Sequence, residues 1–230
     1  VLRRKPSWIA QALLVARKDL AIELSTGEIV TTSGFFAVLV AVIASLAFYA
    51  GTDTSVRVAP GVVWVAVAFA SVLALGRTWQ REREDGALEG LLAGPTSRSA
   101  IFAGKMMGVC VFIFLVELIV IPVTALLFAV DLAQVGPSLA LFCLVATPGI
   151  AAVGTLFGVM TVRTRARDLV LASVLFPLLA PSLLAAVAGT RELFGGAPFH
   201  ELVDYVELMG IFAFVFTAGG LGLFELLIEG

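Results

Sequence analysis

The chain has 230 residues, of which 60% are hydrophobic and 14% charged, with a formal net charge of -2 and a mean hydropathy of +1.06. A soluble globule with so few charges has too little polar surface, so this composition belongs in lipid. The weakly acidic balance offers no basic field for nucleic acid, and no nucleic-acid partner is expected.

The first predicted element occupies residues 6–28. Pro6 suits the first turn of a helix, and Ile9, Leu13, Ala16, Leu20 and Leu24 recur on one stripe at helical spacing, bordered by Arg17, Asp19 and Glu23. This pattern predicts a helix lying in the membrane interface, with Lys and Arg near anionic headgroups. It reads either as a plain surface anchor or as an elbow that passes motion to the first span. No cleavable signal peptide is expected, because Trp8 to Leu24 is interrupted by Arg17, Lys18, Asp19 and Glu23.

Six stretches meet the roughly 20 apolar residues that a helix needs to cross about 30 Å of hydrocarbon. They run at about 29–50, 58–76, 106–130, 135–162, 169–188 and 206–228. None shows the period-2 alternation of barrel strands, so an all-α integral membrane protein with six transmembrane helices is expected, as one permease domain over 1–230. With the N-terminus inside, thirteen of the fifteen Lys and Arg residues fall on inner segments, leaving Arg57 and Arg191 outside. Positive loops stay in the cytoplasm, which predicts that both termini are cytoplasmic.

Between the second and third spans lies the one long charged passage, 77–105. Arg77 to Glu84 continues the second span beyond the membrane. Asp85 then caps a short helix with Leu88, Leu91 and Leu92 on one side and Glu84, Asp85 and Glu89 near its start. Gly94 and Pro95 stop that helix, and Thr96 or Ser97 caps the next. The short helix reads as a cytoplasmic coupling helix that sets its leucines in a partner's groove, or as an amphipathic connector lying on lipid. Acidic residues beside a negative leaflet favour docking, since a lipid-binding helix carries Lys and Arg.

Within the spans, Glu117 sits near mid-membrane, where an acid costs about 2.5–3.5 kcal/mol on insertion scales. Thr147 is a hydrogen-bond partner at matching depth, and both a functional and a structural role stand open for the acid. Pro148 and Gly149 in the fourth span and Pro177 and Pro181 in the fifth are hinge candidates, because proline removes a backbone donor and bends its helix. Gly149, Ala151, Ala152, Gly154 and Gly158 form a small-residue face for close packing, within one subunit or between two copies.

Cys110 and Cys143 fall inside spans and read as buried apolar thiols rather than a disulfide or metal pair. The outer loop from Thr190 to Tyr205 carries His200, the sole histidine, beside Glu192, Glu201 and Asp204. Without a second nitrogen or sulfur ligand it reads as a surface histidine, and no metal site is expected.

No G-x-x-x-x-G-K-[ST] loop occurs: Gly104-Lys105 is preceded by Ser99 at the first glycine position and followed by Met106. Dinucleotide turns, zinc-protease signatures and serine elbows are absent too. The chain is therefore expected to be a non-catalytic subunit, and energy-driven transport through it requires a separate nucleotide-hydrolysing protein.

Four passages carry a family resemblance: Arg17 to Phe36, Arg57 to Pro95 with the GRTWQREREDGALEGLLAGP stretch, Lys105 to Phe128 with Glu117, and Thr147 to Leu179. In these the chain closely resembles the heme exporter protein B (CcmB) family of ABC-type cytochrome c maturation complexes. The resemblance implies an exporter-type, ABC-2-like permease in the bacterial inner membrane, present as two copies on a pair of cytoplasmic ATPases of the CcmA type. It further implies a heme-handling membrane protein of the CcmC type and a small accessory protein of the CcmD type. ATP belongs to the ATPase partner, whose hydrolysis is linked in that family to release of a heme-loaded periplasmic chaperone. Heme is handled by the complex, and no cofactor is expected on this chain.

On this reading Glu82, Arg83, Glu84, Asp85, Gly86, Glu89, Leu91 and Leu92 are the candidate ATPase contact. The alternatives are a non-conducting subunit that turns ATPase motion into partner release, and an exporter of lipid or drug. A secondary carrier fits least, because no inverted repeat is evident.

Overall fold

Backbone amides in hydrocarbon find partners only within a helix or a closed barrel, and the computed structural model of the chain is helical wherever it has regular structure. It describes residues 6–48, 52–84, 90, 93–161 and 167–229. Among these are seven helices: α1 (Trp8–Thr26), α2 (Glu28–Ala47), α3 (Thr52–Glu84), α4 (Arg98–Phe128), α5 (Leu132–Thr161), α6 (Arg167–Phe194) and α7 (Phe199–Glu229). The six from α2 to α7 are long and apolar enough to cross a membrane. The chain is an all-α integral membrane protein.

Capping residues set the helix starts. Ser7 and Ser97, both in extended conformation, accept from the backbone N–H of Ala10 and Ala100, and Asp131 Oδ1 accepts from Ala133 N–H at the head of α5. The Gly94-Pro95 stop and the Ser97 cap therefore lie where the residue pattern puts them. Gly27 turns the chain from α1 into α2 with a left-handed backbone (φ 63°) that favours glycine.

α3, α4 and α5 form the centre of the bundle, with α2, α6 and α7 around them and α1 laid on the first turns of α4. The main core joins Trp64 and Val67 of α3, Ile113 of α4, Phe142 and Ile150 of α5, Leu179 of α6 and Met209 of α7. The small-residue face of α5 packs inside the subunit. A Cβ on Gly154 would lie 2.2 Å from Leu75 Cδ1, one on Gly158 would lie 2.0 Å from Trp79 Nε1, and one on Gly149 would lie 2.9 Å from Phe212 Cδ1. Only glycine admits such approaches.

At the far end from the charged loop the structure departs from the expected outer loop. α6 runs on to Phe194 and α7 begins at Phe199, leaving only a short turn through Gly195 to Pro198. Thr190, Arg191 and Glu192 interrupt hydropathy without interrupting the helix. Thr190 is buried because its hydroxyl accepts from Trp64 Nε1–H at 2.8 Å, which ties α6 to α3. His200 is exposed in the first turn of α7.

Candidate functional site

At 1.5 Å per residue α3 and α4 are each roughly 45–50 Å long, more than the about 30 Å of hydrocarbon. Both continue past the apolar region at the loop end of the bundle, Arg77 to Glu84 on α3 and Arg98 to Lys105 on α4. α1 packs on this extension. Gly104 makes the contact possible, since a Cβ there would sit 2.5 Å from the Ala12 carbonyl oxygen and 2.6 Å from Val15 Cβ. Gly108 one turn on faces Asp19.

The close approach brings four charged side chains from three helices together. Lys105 of α4, 1% exposed, donates to both carboxylate oxygens of Asp19 on α1 at 3.0 and 2.8 Å and to Glu82 Oε1 on α3. Lys18 of α1 donates to the same Glu82 oxygen at 2.5 Å and lies 3.3 Å from Asp19. Two cations face two anions, so the buried cluster is neutral; charges out of water persist only when paired and hydrogen-bonded in this way.

Each helix neighbours the cluster with further polar contacts. Gln11 Oε1 accepts from the Ser97 backbone N–H at 2.9 Å, and Trp8 Nε1–H donates to Ser99 Oγ at 3.0 Å, so α1 also holds the start of α4. Glu23 Oε1 accepts from Val30 N–H at 2.8 Å and so serves the first turn of α2. Arg77 and Glu28 pair at 3.4 Å across the exposed edge of α3 and α2.

Burial and pairing pull the titrations of the cluster in opposite directions. Burial by itself raises the Glu82 carboxyl, but the Lys105 charge and hydrogen bond, with those of Lys18, outweigh it and hold the group below its ordinary value. Burial likewise lowers the Lys18 ammonium, yet the Glu82 hydrogen bond and the Asp19 and Glu82 charges leave it raised.

Residues singled out in sequence divide sharply here. Glu82, read there as part of a docking surface, is 4% exposed and is bonded to Lys105 and Lys18 within the chain. Arg83 and Glu84 belong to the last turn of α3, with side chains outside the described residues, and Asp85, Gly86, Glu89, Leu91 and Leu92 lie outside the described residues altogether. On α1, the inward face is Ala12, Val15, Ala16, Asp19 and Glu23, while Ile9, Leu13 and Leu24 of the apolar stripe point outward. Lys18 accordingly turns to Glu82 rather than to a headgroup.

The roles of Lys18, Asp19 and Lys105 escaped the residue pattern. The available signal was the Gly104-Lys-Met-Met-Gly108 spacing, which predicts a helix laid closely over a lysine.

Toward mid-membrane, Glu117 is 2% exposed, and its Oε1 accepts from Thr147 Oγ1–H at 2.7 Å, the partner expected from depth. Its Oε2 is buried without a partner of good hydrogen-bond geometry, and the Cys143 thiol lies beside the carboxyl as a weak donor. Glu117 and Cys143 line a groove of about 550 Å³ between α4 and α5. Pro148 is half-buried beside Thr147, Gly149 packs on Phe212, and Pro177 and Pro181 are exposed; α5 and α6 stay helical through all four. Among the described residues no group of three or more His, Cys, Asp and Glu is gathered to hold a metal ion.

A family profile described as CcmB protein matches residues 10–218. The chain is 28% identical over 193 residues to a heme exporter protein B of Bradyrhizobium diazoefficiens, covering 81% of this chain and 86% of that one. It is 27% identical over 187 residues to a protein of the same name in Pseudomonas aeruginosa, covering 81% and 83%. A third such protein, from Haemophilus influenzae, is 26% identical over 191 residues, covering 80% and 85%.

Proposed function

This chain belongs to the CcmB protein family, and on that premise we propose that it is the membrane permease subunit of an ABC-type complex for heme export or heme delivery in cytochrome c assembly. The names of its relatives support heme as the cargo or handled ligand of the complex. The subunit is non-catalytic. ATP is bound and hydrolysed by a cytoplasmic ATPase partner of the CcmA type, and two copies of this chain stand on an ATPase pair in the bacterial inner membrane. Partners of the CcmC and CcmD type handle heme beside it. The basic loops and both termini face the cytoplasm.

The observation that carries the mechanism is the buried charge cluster between α1, α3 and α4. Residues 77–105 receive the ATPase through Glu84, Asp85, Gly86, Glu89, Leu91 and Leu92, with Arg83 beside them. Glu82 serves inside the lever rather than at its tip. When two ATPases close, the loop is pushed, and the projecting ends of α3 and α4 carry the displacement into the bundle. The ion cluster obliges α1 to follow, so residues 6–28 act as an elbow, and the Glu23 contact to Val30 hands the motion to α2. Pro148 with Gly149, and Pro177 with Pro181, are the places where α5 and α6 bend.

A second reading, in which the chain transmits force but conducts nothing, draws support from the apolar packing of Trp64, Phe142, Ile150 and Leu179 through the centre of the bundle. Release of a loaded periplasmic chaperone is then the output.

The test is co-expression with the ATPase and affinity capture. Reversing charge with Glu84→Lys and Asp85→Lys is expected to abolish capture of the ATPase while leaving membrane insertion intact. Undiminished capture would count against the docking assignment. A strong heme spectrum from this chain purified alone would favour conduction over the second reading.

A further inference from the structure

Glu117 poses a problem that its own chain solves only in part. One carboxylate oxygen accepts from Thr147, while the other is buried without a partner of good hydrogen-bond geometry, the weakly donating Cys143 thiol being the one further donor beside the carboxyl. An acid carried to mid-membrane must be met by donors.

The surroundings of that second oxygen are open on one side. Glu117 lies at the base of a groove walled by Phe114, Leu118, Ile121 and Pro122 of α4 and Leu139 and Leu144 of α5. Leu118 and Leu144 at its rim are 71% and 60% exposed, so the groove opens sideways on the outer face of the bundle, toward the bilayer. Its volume of about 550 Å³ falls in the range of small-molecule sites, which are mostly apolar with a few placed polar groups. Pro122 has no N–H to offer the Leu118 carbonyl one turn earlier. Beyond the weak Cys143 thiol, the groove thus presents acceptors and apolar walls and no strong donor.

From this geometry we propose that the groove between α4 and α5 is a binding site for a membrane-dissolved amphiphile that carries one hydrogen-bond donor, an amine or a hydroxyl, on an alkyl or ring body. The donor meets Glu117 Oε2 and the body lies along the apolar walls. A bare hydrocarbon tail fills the walls but leaves the carboxylate unmet. A fatty ester brings acceptors and no donor. The occupant is therefore selected by its polar group, and it enters from the lipid without passing through the bundle.

Gly136 supplies a way to close the site without disturbing it. It lines the groove, and a Cβ built there meets nothing within 4 Å. Gly136→Leu fills the space where the ligand body would lie.

The experiment uses native membranes containing the full complex and the lipid-soluble reagent N,N′-dicyclohexylcarbodiimide, which modifies carboxyl groups reached through lipid, with modification of Glu117 read by mass spectrometry. Dodecanol, dodecane and methyl dodecanoate, none of which consumes the carbodiimide as an acid or an amine would, are the competitors. Labelling is expected at Glu117, reduced at least tenfold by dodecanol and unchanged by dodecane or methyl dodecanoate. Gly136→Leu is expected to abolish labelling while its partners still co-purify. Glu117→Gln controls for the labelled position, and Gly136→Leu keeps the test alive should that variant fail to fold. Equal protection by dodecane would reduce the site to an apolar dent and overturn the proposal. Labelling confined to the isolated chain in detergent would mean that a protein helix covers the groove, and that too would overturn it, as would no labelling in either preparation.

Discussion

Lys105 grips both carboxylate oxygens of Asp19, a residue 86 positions earlier in the chain, and does so almost out of reach of solvent. That pair, with Glu82 and Lys18 beside it, fastens α1 to the projecting ends of α3 and α4. Its energetic character differs from that of surface ion pairs, which contribute about 0–1 kcal/mol. Removing one member of a buried pair strands the other.

Lys105→Met is therefore expected to cost about 3–5 kcal/mol, since Asp19 and Glu82 lose their shared cation. The double variant Lys105→Met with Asp19→Leu leaves the Lys18–Glu82 pair neutral and should recover most of that loss. Thermal unfolding in detergent distinguishes the two. Equal destabilisation of single and double variants would remove the stranded-charge explanation.

The pH dependence has a defined sign on each side. Glu82 is held below its ordinary value of 4.5, so its contribution is present above that value and is lost as pH falls through the lower folded-state value. Lys18 is raised above 10.5, so its contribution is complete below that value and is lost as pH rises through the higher folded-state value. A melting temperature insensitive to the cluster across neutral pH is expected, with the wild-type advantage over Glu82→Gln shrinking as Glu82 takes up a proton on the acid side and again as Lys18 loses one at strongly alkaline pH. An advantage that instead grows on acidification would contradict the pairing.

Gly104 and Gly108 should respond unequally to the same small change. Gly104→Ala drives a methyl against the Ala12 carbonyl at 2.5 Å, whereas at Gly108 the nearest atom, Asp19 Cβ, is an ordinary 3.5 Å away. Overpacking of this kind costs about 1–3 kcal/mol. Crosslinking of Gln11→Cys to Ser97→Cys by a short bifunctional thiol reagent reports the seating of α1 on the start of α4, and it is expected to be efficient in the Gly108→Ala background and poor with Gly104→Ala.

At mid-membrane, Thr147→Val removes the hydroxyl donor to Glu117 and leaves the carboxyl with only the weak Cys143 thiol, at a cost of about 1–3 kcal/mol. Glu117→Gln keeps the shape without the charge and is expected to assemble normally while turnover of the complex falls. Full activity in Glu117→Gln would assign the acid a purely structural part. Melting temperature and ATP-dependent turnover, measured together, separate the two variants.

The spans were legible because hydrocarbon imposes one rule on every residue of a stretch, and a local count of apolar side chains detects it. The Ser97 cap and the Gly94-Pro95 stop were legible for a similar reason, as each acts within a turn of itself. Glu117 and Thr147 could be matched because depth in the membrane supplies a coordinate that sequence otherwise lacks.

No such coordinate exists at the loop end, where Asp19, Glu82 and Lys105 each read as solvated charges and only the approach of α1 over Gly104 makes them interior. Thr190 hid the end of α6 in the same manner, its polarity being answered by Trp64, 126 residues away.

The cluster also carries an implication for biogenesis. Lys18 and Asp19 leave the ribosome well before Glu82, and Glu82 before Lys105, so α1 has nothing to close upon until α3 and the head of α4 have been delivered. Until then its two charges are met by water and headgroups. The last of the four residues to be translated hydrogen-bonds to both acids, so the cluster completes only once the head of α4 has arrived.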